Sequence, residues 1–339
     1  MFAKKMIKDP VTGYEYRLLT DSVYPSHKMY FSCESWTADD KQILFFRSGE
    51  KGNQLIRLED ETGAEAVLAD AADGWSIHSF GLNREKDEGY IIKDDKVFAL
   101  NVLTGQTKEL AALPAKAHPC GHYTASKSGL LPMTFKLRNG IFCLALTDPS
   151  KGVTDILYYS DTPLGHCQAC PGDDNTIFFC HETGGDALQR MWHFDIAERR
   201  PFPYYVERWG EWITHETWNY DGSYMTFIKA PDEIWIGSKD GKNFRLVSKS
   251  KEYHHCAPSR SGRWIASDRS GSGEIVLVNA QTGKDTLLVT GHIPPTGSEH
   301  QHPSFNRRGD KVLFTAPEGT DGACQLGLID LAQTDGFMI

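Results

Sequence analysis

The sequence predicts an all-β fold, a seven-bladed β-propeller of four-stranded blades that takes residues 1–339 as one domain. Three observations predict it. A histidine followed seven residues on by a glycine, and then by an apolar, β-branched run, recurs along the chain. The recurrences stand at the length of one propeller blade, roughly 40 to 50 residues. No long amphipathic helical pattern competes with them.

The repeat is explicit in His122 to Gly129, His215 to Gly222, His255 to Gly262 and His302 to Gly309. His78 and His166 head variants with other turns, and His27 precedes a turn and strand of the same type at looser spacing. These histidines lie 51, 44, 44, 49, 40 and 47 residues apart, and the seven units leave little of the chain over.

Taken in order, each unit supplies further strand-like runs. They read GlnLeuIleArgLeu from Gln54, LysValPheAlaLeu from Lys96, IlePheCysLeuAla from Ile141, MetTrpHisPhe from Met191, GluIleValLeuVal from Glu274 and GlnLeuGlyLeuIle from Gln325. Several end in Thr-Gly, a hairpin signature, at Gly63, Gly105 and Gly283. The stretch near Glu15 is expected to pair into the C-terminal blade, because closing the ring removes long unpaired edges.

Composition narrows the function. Apolar residues make up 40% and charged residues 24%, which suits a water-soluble core. A net charge of −9 with no basic stripe argues against nucleic acid. The longest apolar run, 141–146, is too short for a bilayer, and the first residues hold no apolar signal stretch, so no membrane partner is expected. Eight scattered cysteines read as reduced thiols of a cytoplasmic protein. The Cys167–Cys170 pair has no second pair to complete a zinc site and falls where an inner strand is expected.

In a propeller, one position repeated in every blade faces one level of the central channel. A single repeat histidine reads most simply as a turn residue with its backbone partners met. The set of seven is different, because the symmetry of the ring makes them converge, and crowded imidazoles stay partly neutral. The densest stretch is the C-terminal one, where His300 and His302 share one side of an extended segment and His254–His255 come from the preceding unit. Three neutral nitrogens of this kind suit a divalent cation with open positions. The spacing to Gly262 points His255 rather than His254 inward, and Glu216 is expected to face away from His215. Arg190, at the start of a strand, reads as an inward-facing anion clamp.

These segments together resemble the oligogalacturonate lyases, cytoplasmic seven-bladed propellers. The resemblance rests on AspProValThrGly from Asp9, HisLysMetTyrPhe from His27, LeuGlyHis from Leu164, CysHisGlu from Cys180 with Arg190-Met-Trp, ThrHisGluThrTrp from Thr214, His255 with Asp268, and His300-x-His302-Pro-Ser-Phe. It covers most of the chain. It implies β-elimination on short galacturonides to keto-deoxyuronate products, with a small anionic oligosaccharide as partner and a divalent cation, typically manganese, as cofactor. It further implies His255, His300 and His302 as metal ligands, His215 as the Brønsted base, Arg190 as the residue assisting at the substrate carboxylate, and His166 and His27 as substrate contacts. The family carries a glutamine ligand where this chain has Gly297; Glu299, Gln301, His292 or water are the candidate replacements. Two other classes compete. A non-catalytic scaffold resembling TolB sensors needs neither base nor metal, and a glycoside hydrolase needs paired carboxylates, for which Glu182, Glu216 and Asp268 are the candidates.

Overall fold

Seven antiparallel sheets follow one another around the ring in a computed structural model that describes residues 2–114, 116–183, 187–291, 300–317, 323–334 and 336–337. The first strands are Ser26–Lys28, Trp75–Leu82, His118–Pro119, Leu164–Ala169, Ile213–Trp218, Ala257–Pro258 and Ser304–Phe305. First strands of neighbouring blades touch, as Leu164–Ala169 touches Ile213–Trp218, and so they line the central channel. The apolar runs after each turn form second strands, among them Thr176–His181, Tyr224–Lys229, Trp264–Arg269 and Lys311–Ala316. Helix occurs among the described residues only as two short 3-10 turns, Ala71–Asp73 and Leu331–Gln333. No helix there is long and apolar enough to cross a membrane.

The alternation of a strand explains why these runs are almost continuously apolar. Successive side chains point to opposite faces, and in a blade each face meets a neighbouring blade. Phe178 therefore packs at the junction with the fifth blade, while Ile177 and Phe179 pack at the junction with the third. Leu44 and Phe45 split in the same way between the second and seventh blades. The core is a ring of seven apolar clusters, one at each junction.

Six sheets have four strands and the closing one has five. Glu15–Leu18 pairs with Gln325–Asp330, with Tyr16 opposite Ile329 and Leu18 opposite Gly327. Lys5–Lys8 then adds outside it, an extra strand that the repeat does not announce. Asp60, buried beside the first blade, binds Arg17 of the closing strand and Lys311 of the seventh blade, each at 2.7 Å. That carboxylate stitches the ring at its seam.

Candidate functional site

The histidines reach the channel by a shared backbone device. In the fourth blade the pairing slips between Gly165 and Gln168, and in the fifth between Thr214 and Thr217. The residue in each slip is the repeat histidine, held in the left-handed region at φ 49° for His166 and 54° for His215. His302 has φ 47°, and there too one extra residue separates the Gln301–Thr315 bond from the Ser304–Leu313 pair. The left-handed region is costly for a residue with a β-carbon and persists where the surroundings enforce it, often at functional sites. Each bulge re-aims its imidazole.

The bulge also sets the surroundings of Glu216. Glu216, the other residue of the slip in the fifth blade, has its carboxylate 2.7 Å from Arg190 Nε and 3.4 Å from His166 Nδ1. One reading is amended, because both His254 and His255 reach the cluster. Their rings lie 4.3 and 4.1 Å from the His215 ring.

Two groups of potential ligand atoms share His255. One joins it to His300 and His302, the other to His215 and His254, with the ligand atoms of each group within 4.8 Å of one another. His255 is fully buried, and its Nδ1 stands 2.9 Å from Asp268 Oδ2. That carboxylate also accepts the His255 backbone N–H at 2.8 Å. Asp268 thus fixes the proton on Nδ1 and leaves Nε2 as an acceptor, and this Nε2 is buried without a hydrogen-bond partner among the described residues. An orphaned nitrogen in a side chain shared by both groups fits a cation better than a packing role. Burial, and next the neighbouring imidazoles, hold His255 and His215 well below the ordinary histidine range; burial and His255 do the same for His302. They are therefore neutral at neutral pH, as ligands and bases must be. Gly297, Glu299 and His292 lie outside the described residues. Gln301 is buried between the paired histidines, with its carbonyl bound by Thr315 N.

Arg190 is more enclosed than a clamp on solvent anions. It is buried, with Nε on Glu216 and its two terminal nitrogens 3.3 and 3.2 Å from Glu182. Burial pushes the Glu216 carboxyl up, but Arg190 and His166 outweigh it and hold the group ionised far below the usual carboxylate range. The carboxylates of a hydrolase are likewise committed, Glu182 and Glu216 to Arg190 and Asp268 to His255.

A cavity of about 680 Å³ opens over this end of the channel. His27, His78, His122, His166, His300 and His302 line it, together with Lys28, Tyr30 and Glu182. His78, exposed and hydrogen-bonded to Asn53, stands at the rim. His215, His255 and Arg190 are not part of that wall; His215 sits on the flank of the cluster, half-buried against His254 and His255. Tyr30 was not singled out from the sequence. Its ring packs 5.2, 5.4 and 4.9 Å from those of His122, His166 and His302. Nothing in the repeat locates it, since it lies on a turn that follows the first inner strand and occurs in one blade alone. Asp268 was legible as part of the family pattern, and its role follows from the Gly262 hairpin, which sets it across from His255.

No protein-family model matches the chain. Two curated relatives do, the oligogalacturonide lyase of Pectobacterium atrosepticum and the oligogalacturonate lyase of Dickeya dadantii. They are 25% and 24% identical over 91% and 93% of this chain and 92% and 93% of their own. Among solved structures, an oligogalacturonate lyase in complex with manganese superposes with a TM-score of 0.87 at 22% identity, covering 97% of this chain and 96% of that one. The chain is thus similar over nearly its whole length to oligogalacturonate lyases, and shares their fold. The likeness to a TolB protein is far weaker, with a TM-score of 0.51 at 12% identity over 81% of this chain. This chain combines the seven-bladed ring with a cluster of histidines at one channel mouth.

Proposed function

We propose that the protein is a polysaccharide lyase that cleaves short oligogalacturonides, or a closely related uronide, by metal-assisted β-elimination. The observation that carries this reading is the buried Nε2 of His255, unpartnered among the described residues, in a ring whose Nδ1 is held by Asp268 and which groups with His300 and His302. Those three imidazoles would hold the cation, which the relative's structure supports as manganese. A bound divalent cation supplies positive charge at the substrate carboxylate and so acidifies the adjacent carbon.

The remaining roles belong to the chain. His215, neutral and half-buried beside the cluster, takes the C5 proton. The electron pair forms the C4–C5 double bond, the C4–O bond breaks, and the departing oxygen takes up a proton. The unsaturated product rearranges to a keto-deoxyuronate. Arg190, ionised between Glu182 and Glu216, places a positive field behind the substrate carboxylate, while His166 and His27 contact the sugar from the cavity wall. Free cysteines, seven of them buried, support action in the reducing cytoplasm.

The test is an ultraviolet assay of the unsaturated product with digalacturonate, with and without manganese. Turnover is expected to need the metal and to fall at least a hundredfold in His215→Ala, with metal content unchanged. Metal-independent turnover, or full activity in His215→Ala, contradicts the assignment.

A further inference from the structure

A uronide lyase must hold a carboxylate on every sugar it binds, inside a chain whose net charge is −9. Arg190 cannot meet this need alone. Its guanidinium is enclosed by Glu182 and Glu216, it does not line the cavity, and Glu182, which does, adds negative charge to the wall.

Among the described residues that line the cavity, Lys28 is the one lysine or arginine. It ends the first inner strand, next to His27, and is 2% exposed. Its Nζ donates one hydrogen bond, to the Met29 carbonyl at 2.8 Å, and among the described residues no carboxylate lies in ion-pair contact with it. An ammonium carries three N–H donors, so two are left without a protein acceptor. Taking such a group out of water unpaired is unfavourable. Burial accordingly pulls the amine down to about 7, against the opposing pull of the carboxylates of Glu34 and Asp268. A replacement by an apolar residue would fill the same space without that penalty. The lysine shares the cavity wall with His300 and His302, next to the candidate metal ligands.

We infer that Lys28 is the carboxylate-binding residue of the cavity, donating its two free N–H groups to a uronate carboxylate and so selecting uronides over neutral sugars. This rests on the uronide reading above. Arg190 then acts as an internal brace that keeps Glu182 and Glu216 ionised and in place, and Lys28 makes the direct contact.

The test is calorimetric titration of galacturonate and of galactose into the manganese-loaded wild type, Lys28→Met and Lys28→Gln, with metal content and unfolding temperature measured on each. The wild type is expected to bind galacturonate and not galactose. Both variants are expected to keep their metal and fold while losing galacturonate affinity by about tenfold or more, the usual worth of a charge-assisted hydrogen-bond pair. Galacturonate affinity within twofold of wild type in either folded variant overturns the assignment. If the wild type binds no uronide at all, the uronide reading fails separately, and acetate is titrated into the same proteins. Acetate binding that depends on Lys28 keeps the anion site, and its absence removes it.

Discussion

At the scale of single residues, the site is built from side chains whose second atoms are already spoken for. Asp268 touches no ligand in the proposed chemistry, yet it decides which nitrogen of His255 is available. Asp268→Asn is expected to weaken manganese binding about 10- to 100-fold, read by titration against a competing chelator, with the fold retained. A second prediction concerns His302, whose φ of 47° strains any residue with a β-carbon. His302→Gly and His302→Ala remove the same imidazole, but the glycine variant should be more stable by about 1 kcal/mol in metal-free denaturant melts. Equal stability of the two would mean that the left-handed backbone at this point is not a source of strain. The sequence was informative here in a limited way. It marked His255, His300 and His302 as a group through their spacing. Lys28 and Tyr30 stand in the HisLysMetTyrPhe segment that carries the resemblance, but no role is legible for them there, because a burial environment made by several blades leaves no local pattern in any one of them.

At the scale of elements, the lesson is in the bulges and the seam. The strands after each turn were legible because both their faces are buried, so that Thr176–His181 and Lys311–Ala316 read as unbroken apolar runs. The inner strands were harder, since a two-residue segment such as Ala257–Pro258 or Ser304–Phe305 has no periodicity to detect. The bulge that carries His215 and Glu216 belongs to the same class. It is set by how a short inner strand must bend to follow the channel, which depends on its neighbours. The seam was foreseen near Glu15, and there a third prediction belongs. Tyr16 is 2% exposed and packs 5.7 Å from Phe314. Tyr16→Ala should cost about 3 kcal/mol in chemical denaturation. It should also raise the exchange of amide protons in Gln325–Asp330 ahead of the other blades, which mass spectrometry would resolve. Uniform exchange across all blades would contradict the seam as the weakest element.

At the scale of the whole molecule, the imidazoles make the fold sensitive to acid. His193, outside the site, is 1% exposed and lies against Tyr204 and Trp218 with its Nε2 unpartnered. Burial pulls it down to about 3, and the same cause takes partly buried His122 to about 3. The unfolded chain takes up these protons near pH 6.5, whereas the folded one refuses them until about pH 3. Stability should therefore fall as pH drops from 6.5 toward 3, and these two groups should contribute no slope above 6.5. Melting temperatures across that range test it, and His193→Phe should flatten the dependence; an unchanged slope in that variant would exclude His193 as a source.

The ring is shut by a strand from residues 15–18 lying against residues 325–330. A chain emerging amino end first must therefore keep its opening strand waiting while nearly all the rest is synthesised. Until then the first blade and the newest blade each offer an unsatisfied flank, and a second nascent chain carries the same two flanks. At high expression the seam of one copy competes with the seam of another, so intermolecular clasping is the characteristic mishap of this architecture, and slower translation or dilution is its remedy.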